Sequence, residues 1–133
     1  MKRIRPLSNP EYQEFYGYID QRDLHLQRCS ECGVVRFPVS PVCYACFSDQ
    51  WGWQRSSGRG RVSSWVVFRR QYFEDYPPPY TVVQVEMDEG PRLTANLLGA
   101  EPEAVREGMP VQVTYEDLEG GGYLVQFEPA EVA

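Results

Sequence analysis

The chain of 133 residues has a single histidine, and no stretch of it approaches the roughly 20 consecutive apolar residues of a membrane-spanning helix. It also lacks a glycine-rich loop of the kind that binds phosphates. No convergent set of the Ser/His/Asp, Cys/His or paired-carboxylate type stands out, although acid–base and nucleophilic catalysis usually depend on one. Asp88 and Glu89 are adjacent, but Gly90 and Pro91 predict a solvated turn there. These absences disfavour a self-sufficient enzyme and leave a hydrolase or transferase as a weaker alternative.

Positive charge is scarce in the second half of the chain. The net charge is −6, with 11 Lys/Arg and 6 Asp/Glu in residues 1–70 but 2 and 13 in residues 71–133. Because affinity for nucleic acid comes largely from neutralised phosphates, the acidic half argues against a nucleic-acid partner. The two halves form either two solvated surfaces of opposite sign or, in the first half, an arginine-rich surface that meets an anion.

The start of the chain is basic but is not followed by the apolar run of a signal peptide. We therefore expect a cytoplasmic protein that does not associate with membranes. In a reducing compartment, paired cysteines are more often metal ligands than disulfides.

The cysteines form two CxxC pairs separated by ten residues, Cys29/Cys32 and Cys43/Cys46. Each pair can form a turn that directs two thiolates to one point, and two such turns give the four-sulfur tetrahedron that zinc prefers. Four sulfur ligands leave no open position, so the sequence predicts one structural Zn²⁺. A rubredoxin-type iron site remains an alternative. Disulfides are a weaker one, and neither pair has the setting of a thioredoxin-like motif.

The residues that follow the two cysteine pairs differ. Gly33, directly after Cys32, suits the sharp turn of a metal-binding knuckle, whereas Phe47 occupies the corresponding place after Cys46. The second knuckle is therefore expected to be less ideal. His25 lies four residues before the first cysteine, and we assign it no role because the ligand set is complete without it.

The remaining pattern is mainly β. Residues 10–20 predict a short helix whose apolar stripe (Tyr12, Phe15, Tyr16 and Ile19) packs on the chain's own core or on a partner. Residues 24–28 and 34–37 predict two strands beside the first cysteine pair, and residues 55–60 a linker. Five further strands are predicted at residues 62–69, 80–87, 93–98, 111–115 and 123–127, with a short helix at residues 101–108.

Five strands with a helix between the third and the fourth is the order of an OB-fold barrel. We therefore expect an N-terminal helical segment at residues 1–23, a rubredoxin-like zinc ribbon at residues 24–54 and a five-stranded OB-fold barrel at residues 55–133.

Two features of the barrel half suggest binding. The loop between its first two strands contains four aromatic residues and three consecutive prolines, which favours contact with a partner or an acyl ligand over a cap on the barrel mouth. Arginines lie before it, and their guanidinium groups suit phosphate recognition, although exposed edge arginines also serve solubility. The candidate contact residues are Tyr72, Phe73, Tyr76, Tyr80, Arg59, Arg61, Arg69 and Arg70.

The stretches QRCSECGVVRFPVSPVCYAC, SGRGRVSSWVVFRR, PPYTVVQVEMDEGPRLTANLLG and REGMPVQVTYED together resemble the zinc-ribbon OB-fold family associated with acyl-coenzyme A metabolism. The likeness covers nearly the whole chain. It implies a non-catalytic subunit of a hetero-oligomer with a thiolase-like enzyme, an acyltransferase or a steroid side-chain aldolase. Such a subunit would stabilise its partner and help to form the acyl-CoA site. It would use Cys29, Cys32, Cys43 and Cys46 as metal ligands. The alternative is an OB-fold protein that binds single-stranded nucleic acid.

Overall fold

A computed structural model describes residues 10–74 and 76–130 of the chain. Within these residues, one helix, α1 (Pro10–Ile19), precedes eight strands, and a single 3₁₀ turn (Pro102–Ala104) lies between the sixth and the seventh strands. The strands are β1 (His25–Cys29), β2 (Val35–Arg36), β3 (Trp51–Arg55), β4 (Arg59–Phe68), β5 (Tyr80–Met87), β6 (Arg92–Leu97), β7 (Pro110–Asp117) and β8 (Tyr123–Pro129). The predicted fold class is confirmed. Residues 1–9 of the predicted N-terminal segment lie outside the described residues.

Helix α1 packs on the chain's own core, which decides between the two interpretations of its apolar stripe. Phe15 and Ile19 are buried, and the ring of Phe15 lies 5.7 Å from that of Phe37 and 6.4 Å from that of Trp53. The Trp53 indole N–H also donates a 2.7 Å hydrogen bond to Glu14. The helix is thus fixed to the ribbon by both apolar and polar contacts. No helix in the described ranges is long and apolar enough to cross a membrane.

The ribbon sheet is antiparallel with strand order β2-β1-β3. The sequence predicted β1 and β2 but not β3, because the short segment around Gly52 has a weak strand pattern. Pairing with β1 stabilises β3 over five positions, from His25 opposite Arg55 to Cys29 opposite Trp51.

Strands β4 to β8 form a closed barrel with the order β4-β5-β6-β8-β7, and β7 returns to pair with β4. The predicted barrel strands agree with the observed ones to within a few residues. Strands β6 and β8 are parallel and pair at Leu97 and Phe127. The buried barrel core consists of Val62, Val83, Val85, Met87, Leu93, Leu97, Val105, Met109, Val111 and Phe127.

The predicted helix over residues 101–108 is wrong in extent. A 3₁₀ turn forms at Pro102–Ala104, and the backbone is already extended at Val105, with ψ at 136°. Val105 and Met109 are both buried in the core at 7% exposure. Because so short a segment has little helical stability of its own, burial of these two side chains determines its path.

The segment between ribbon and barrel is held by specific contacts. Glu89, in the turn between β5 and β6, accepts hydrogen bonds from the Ser56 hydroxyl at 2.9 Å and from the Ser57 backbone N–H at 2.7 Å. Arg55 forms an ion pair with Asp23 at 2.7 Å. The predicted linker is therefore tied to the barrel on one side and to the start of the ribbon on the other.

Candidate metal centre

The two cysteine pairs converge on one point. Their four Sγ atoms all lie within 4.8 Å of one another. Cys29 Sγ lies 3.5 Å from Cys46 Sγ, and Cys32 Sγ lies 3.7 Å from Cys43 Sγ. A tetrahedral zinc with Zn–S bonds of about 2.3 Å places its sulfurs about 3.8 Å apart. The arrangement therefore fits a four-coordinate metal. The four cysteines are free in the structure, which therefore does not adopt the disulfide alternative.

The two knuckles share one backbone design. At the first, the Gly33 N–H donates to the Cys29 carbonyl at 3.0 Å, and Gly33 has φ at +79°. At the second, the Phe47 N–H donates to the Cys43 carbonyl at 2.9 Å, and Phe47 has φ at +63°. Phenylalanine thus takes the left-handed conformation that glycine takes at the first knuckle. This conformation is sterically unfavourable for a large side chain.

The electrostatics of the quartet favour a cation. The Cys32 backbone N–H lowers the pKa of Cys29 to about 6, and the Cys46 backbone N–H lowers the pKa of Cys43. The Ser48 backbone N–H also lowers the pKa of Cys46, but Cys29, burial and the other two thiols outweigh it and raise the pKa to about 12. Four thiolates so close together repel one another, and a bound cation removes that repulsion.

A buried polar network positions the loop that leads to the second knuckle. Gln27 is fully buried, and its side-chain amide exchanges two 2.8 Å hydrogen bonds with the backbone of Ser40. Arg36, 2% exposed, donates to the Ser40 carbonyl at 2.8 Å and lies over the Trp51 ring at 5.8 Å. Sequence reasoning missed both residues. The only available signal was a charged residue in a short strand that is otherwise apolar.

His25 takes no part in the quartet. Its ring stacks on that of Tyr18 at 3.7 Å, and its Nδ1 lies 2.9 Å from the Asp23 carbonyl oxygen. These contacts give it a packing role at the start of β1.

The aromatic loop between β4 and β5 is divided between packing and exposure. Tyr72 and Phe73 are 60% and 55% exposed, whereas the Tyr80 ring stacks on that of Phe68 at 4.8 Å. Tyr76 lies between the two groups, 5.6 Å from Tyr80 and 6.1 Å from Phe73. The exposed pair therefore rests on a layer of packed rings.

The four candidate arginines contact different elements. Arg61 donates to the Gly108 carbonyl at 3.0 Å, Arg69 lies 4.0 Å from a Glu103 carboxylate oxygen, and Arg70 lies over the Tyr72 ring at 5.6 Å. Arg59 is exposed at the start of β4. The geometry supplies no single anion-binding cluster from these four side chains.

Two family models match adjacent parts of the chain. The rubredoxin-like zinc ribbon domain of ChsH2 matches residues 19–52, and the C-terminal OB-fold domain of ChsH2 matches residues 53–116. The chain belongs to the ChsH2 family, whose members are also described as DUF35 proteins. The border between the two ChsH2 models falls inside β3.

Relatives in the ChsH2 family carry different descriptions. A probable enoyl-CoA hydratase alpha subunit from Thermomonospora curvata and the 3-oxo-4,17-pregnadiene-20-carboxyl-CoA hydratase alpha subunit from Mycobacterium tuberculosis are each 34% identical over 128 residues. Each match covers 96% of this chain but 40% of the relative, so the chain spans about two fifths of their length. A DUF35 domain-containing scaffold protein from Methanocaldococcus jannaschii is 30% identical over 78% of this chain and 79% of its own length.

Solved structures show the same ChsH2 architecture. A chain of the Ltp2-ChsH2(DUF35) aldolase is 34% identical, with a TM-score of 0.87 over 94% of this chain and 98% of that one. A DUF35-family protein of unknown function from Sulfolobus solfataricus has a TM-score of 0.66 over 92% of this chain and 87% of that one. At 14% identity, the second match shows the fold alone.

Proposed function

We propose that this protein is a non-catalytic accessory subunit that binds a thiolase-like enzyme, such as a thiolase, an acyltransferase or a steroid side-chain aldolase. In this proposal it stabilises the enzyme and helps to form its acyl-CoA site. The observation that carries the proposal is the end-to-end similarity, with a TM-score of 0.87, to a chain of an aldolase whose description names Ltp2 as a second component. The hydratase alpha subunits among its relatives act on CoA thioesters by their descriptions, which supports the same ligand class.

The side-chain chemistry of the described residues supports a non-catalytic role. Shifted pKa values occur at Tyr115 and at three cysteines of the quartet, and those cysteines converge on the candidate metal position. Tyr115 accepts a hydrogen bond from the Leu24 backbone N–H, which gives its hydroxyl a structural partner. In this proposal the catalytic groups are supplied by the partner enzyme.

The metal in this proposal is one structural Zn²⁺ on Cys29, Cys32, Cys43 and Cys46, whose sulfurs lie within 4.8 Å of one another. Zinc would hold the two knuckles together and would supply no catalytic chemistry, because four thiolates fill its coordination shell. Iron suits the same four thiolates, and elemental analysis of the purified protein distinguishes the two metals. We place the protein in the cytoplasm, where free thiols persist.

The loop between β4 and β5 is the proposed contact with the partner or with its acyl-CoA ligand. Tyr72 and Phe73 offer exposed aromatic area on a layer formed by Tyr76 and Tyr80, and exposed apolar patches commonly mark interfaces. Arginines can hydrogen-bond to phosphate oxygens or to acidic side chains of the partner. The arginines proposed for that role are Arg59, Arg61, Arg69 and Arg70.

Co-expression tests the assignment. The chain is produced with the thiolase-like or Ltp2-type subunit encoded in the same genome, and the mixture is separated by size-exclusion chromatography. The proposal expects one peak that contains both chains and about one zinc per accessory chain by elemental analysis. Two separate peaks contradict it. Tight, salt-dependent binding of a labelled oligonucleotide by the isolated chain would instead support the nucleic-acid alternative.

A further inference from the structure

The second knuckle carries an exposed apolar surface next to the metal-binding position. Within residues 41–47, Cys43 is buried, while Phe47 is 80% exposed, Tyr44 70% and Val42 40%. Pro41 and Ala45 are exposed as well. We refer to residues 41–47 as the knuckle tip. The knuckle tip therefore presents two aromatic rings that the described part of the chain leaves mostly uncovered.

The backbone at Phe47 is unfavourable for this residue. Its φ of +63° lies in the left-handed region, which large side chains rarely adopt. Glycine takes the same place in the first knuckle, at Gly33. The exposed Phe47 ring contributes little to the core, so the fold gains little that could offset this conformation. A strained and exposed aromatic residue on an ordered turn is more readily explained by binding than by stability.

The charge of this region restricts what can bind it. Residues 37–48 contain no Asp, Glu, Lys or Arg, although these four residue types make up 24% of the whole chain. A surface without Lys or Arg lacks the attraction that nucleic acids and anionic membranes require. An exposed aromatic surface without Asp, Glu, Lys or Arg is complemented by an apolar pocket on another protein.

We propose that the knuckle tip is an anchor, in which Phe47 and Tyr44 insert into an apolar pocket of the catalytic partner subunit. The inference rests on the proposed function, because it assumes that such a partner exists. Aromatic side chains bury roughly 150–250 Å² each, so two mostly exposed rings supply roughly 225–375 Å². A standard interface buries about 800 Å² on each partner. The knuckle tip is therefore one part of the interface, and other surfaces complete it.

A second copy of the chain fits the knuckle tip less well. The chain has an apolar cavity of about 200 Å³, lined by Phe15, Phe37 and residues of β6 and β8, that another copy's Phe47 could enter. A tip-into-pocket contact joins different surfaces of two copies. Such a contact closes as a dimer only if each copy's tip reaches the other copy's cavity at the same time, and otherwise it propagates into rings or open chains. In this proposal the knuckle tip therefore binds a different protein and not a second copy of the chain.

The test uses the variant Phe47→Asn with Phe47→Tyr as its matched control. Asparagine tolerates positive φ and removes the ring, whereas tyrosine keeps the ring. Each full-length variant is co-expressed with the Ltp2-type or thiolase-like subunit of the same genome. Complex affinity, zinc content and thermal midpoint are measured for each. We expect Phe47→Asn to weaken the complex at least about tenfold, as for an interface hot spot, and Phe47→Tyr to bind like the wild type.

Stability and zinc content separate a binding role from a structural one. If the ring serves docking alone, Phe47→Asn keeps its zinc and melts within about 3 °C of the wild type or higher. Loss of zinc or a larger fall in the midpoint would overturn the proposal in favour of a structural role. A complex of unchanged affinity, or concentration-dependent self-association that Phe47→Asn abolishes, would overturn it too. If the wild type forms no complex at all, the proposed function fails and the anchor fails with it.

Discussion

The hydroxyl oxygen of Tyr115, on β7 of the barrel, accepts a 2.9 Å hydrogen bond from the backbone N–H of Leu24, directly before β1 of the ribbon. Leu24 is 2% exposed, so its N–H has little access to water as an alternative partner. The Leu24 carbonyl in turn accepts a 2.9 Å bond from the Ser56 N–H. The backbone N–H and carbonyl groups of Leu24 therefore both find their hydrogen-bond partners outside the ribbon sheet.

Removing the hydroxyl should weaken the fold. Tyr115→Phe leaves the buried Leu24 N–H without its acceptor, and we expect the free energy of unfolding to fall by about 1–3 kcal/mol. Urea unfolding of the zinc-loaded protein measures this free energy. Tyr72→Phe, which removes an exposed hydroxyl, is the control and should change the free energy by less than about 0.5 kcal/mol. An equal effect of the two variants would contradict a special role for Tyr115.

The same residue predicts a pH dependence. Burial raises the pKa of Tyr115 above the ordinary value of 10.0, and the hydrogen bond from Leu24 opposes this only in part. Because the folded state favours the protonated phenol, its stabilisation is fully present below pH 10 and is lost as the pH rises through the higher folded-state pKa. The stability of the wild type should therefore decline above pH 10 more steeply than that of Tyr115→Phe. If the stabilities of the two proteins changed in parallel with pH, Tyr115 would be excluded as the source of the decline.

Loss of a metal ligand should remove the metal and unfold the ribbon. In small zinc peptides, zinc binding contributes an apparent ~10–16 kcal/mol to folding, and Cys29→Ser or Cys43→Ser should abolish that contribution while the barrel core stays intact. Zinc content by elemental analysis and ¹H–¹⁵N spectra of the ribbon residues measure it. Ala45→Ser, in the exposed turn between two ligands, is the control. Unchanged zinc content and melting in the cysteine variants would contradict the proposed site.

Two glycines in strands provide a matched pair. A Cβ at Gly60 would lie 2.5 Å from the Glu86 carbonyl oxygen and 2.6 Å from Val85 Cγ1, whereas a Cβ at Gly52 meets nothing within 4 Å. Gly60→Ala must separate β4 from β5, and we expect a loss of about 1–3 kcal/mol. Gly52→Ala should stay within about 0.5 kcal/mol of the wild type. Chemical denaturation compares the free energies of unfolding of the two variants. Equal values would show that β4 can move away from β5 without a loss of stability.

The exposed rings of the barrel loop should matter for binding but not for folding. The double variant Tyr72→Ser and Phe73→Ser removes side chains that are 60% and 55% exposed. We expect its thermal midpoint to stay within about 3 °C of the wild type. Its affinity for the co-expressed partner should fall about tenfold or more. Gln71→Ser, an exposed polar neighbour, is the control, and unchanged affinity of the double variant would remove this loop from the interface.

The sequence was sufficient to predict those features of the fold that depend on local patterns of residues. The spacing of the four cysteines predicted their convergence, and runs rich in β-branched and aromatic residues predicted the five barrel strands. Prediction from the sequence failed where packing between distant parts of the chain determines the local structure. Strand β3 exists because β1 lies beside it, and the 3₁₀ turn ends where Val105 enters the core. The positive φ of Phe47 also follows from the closed knuckle and not from any preference of phenylalanine.

The contacts between ribbon and barrel limit how such chains can be recombined. The border between the two family models cuts β3, so a chimera with its crossover there would assemble one strand from two parents. Its foreign ribbon would also have to supply an aspartate for Arg55 and a backbone N–H at position 24 that meets the Tyr115 hydroxyl. Ribbon and barrel therefore depend on each other structurally, and exchange of either half alone would bring together mismatched surfaces.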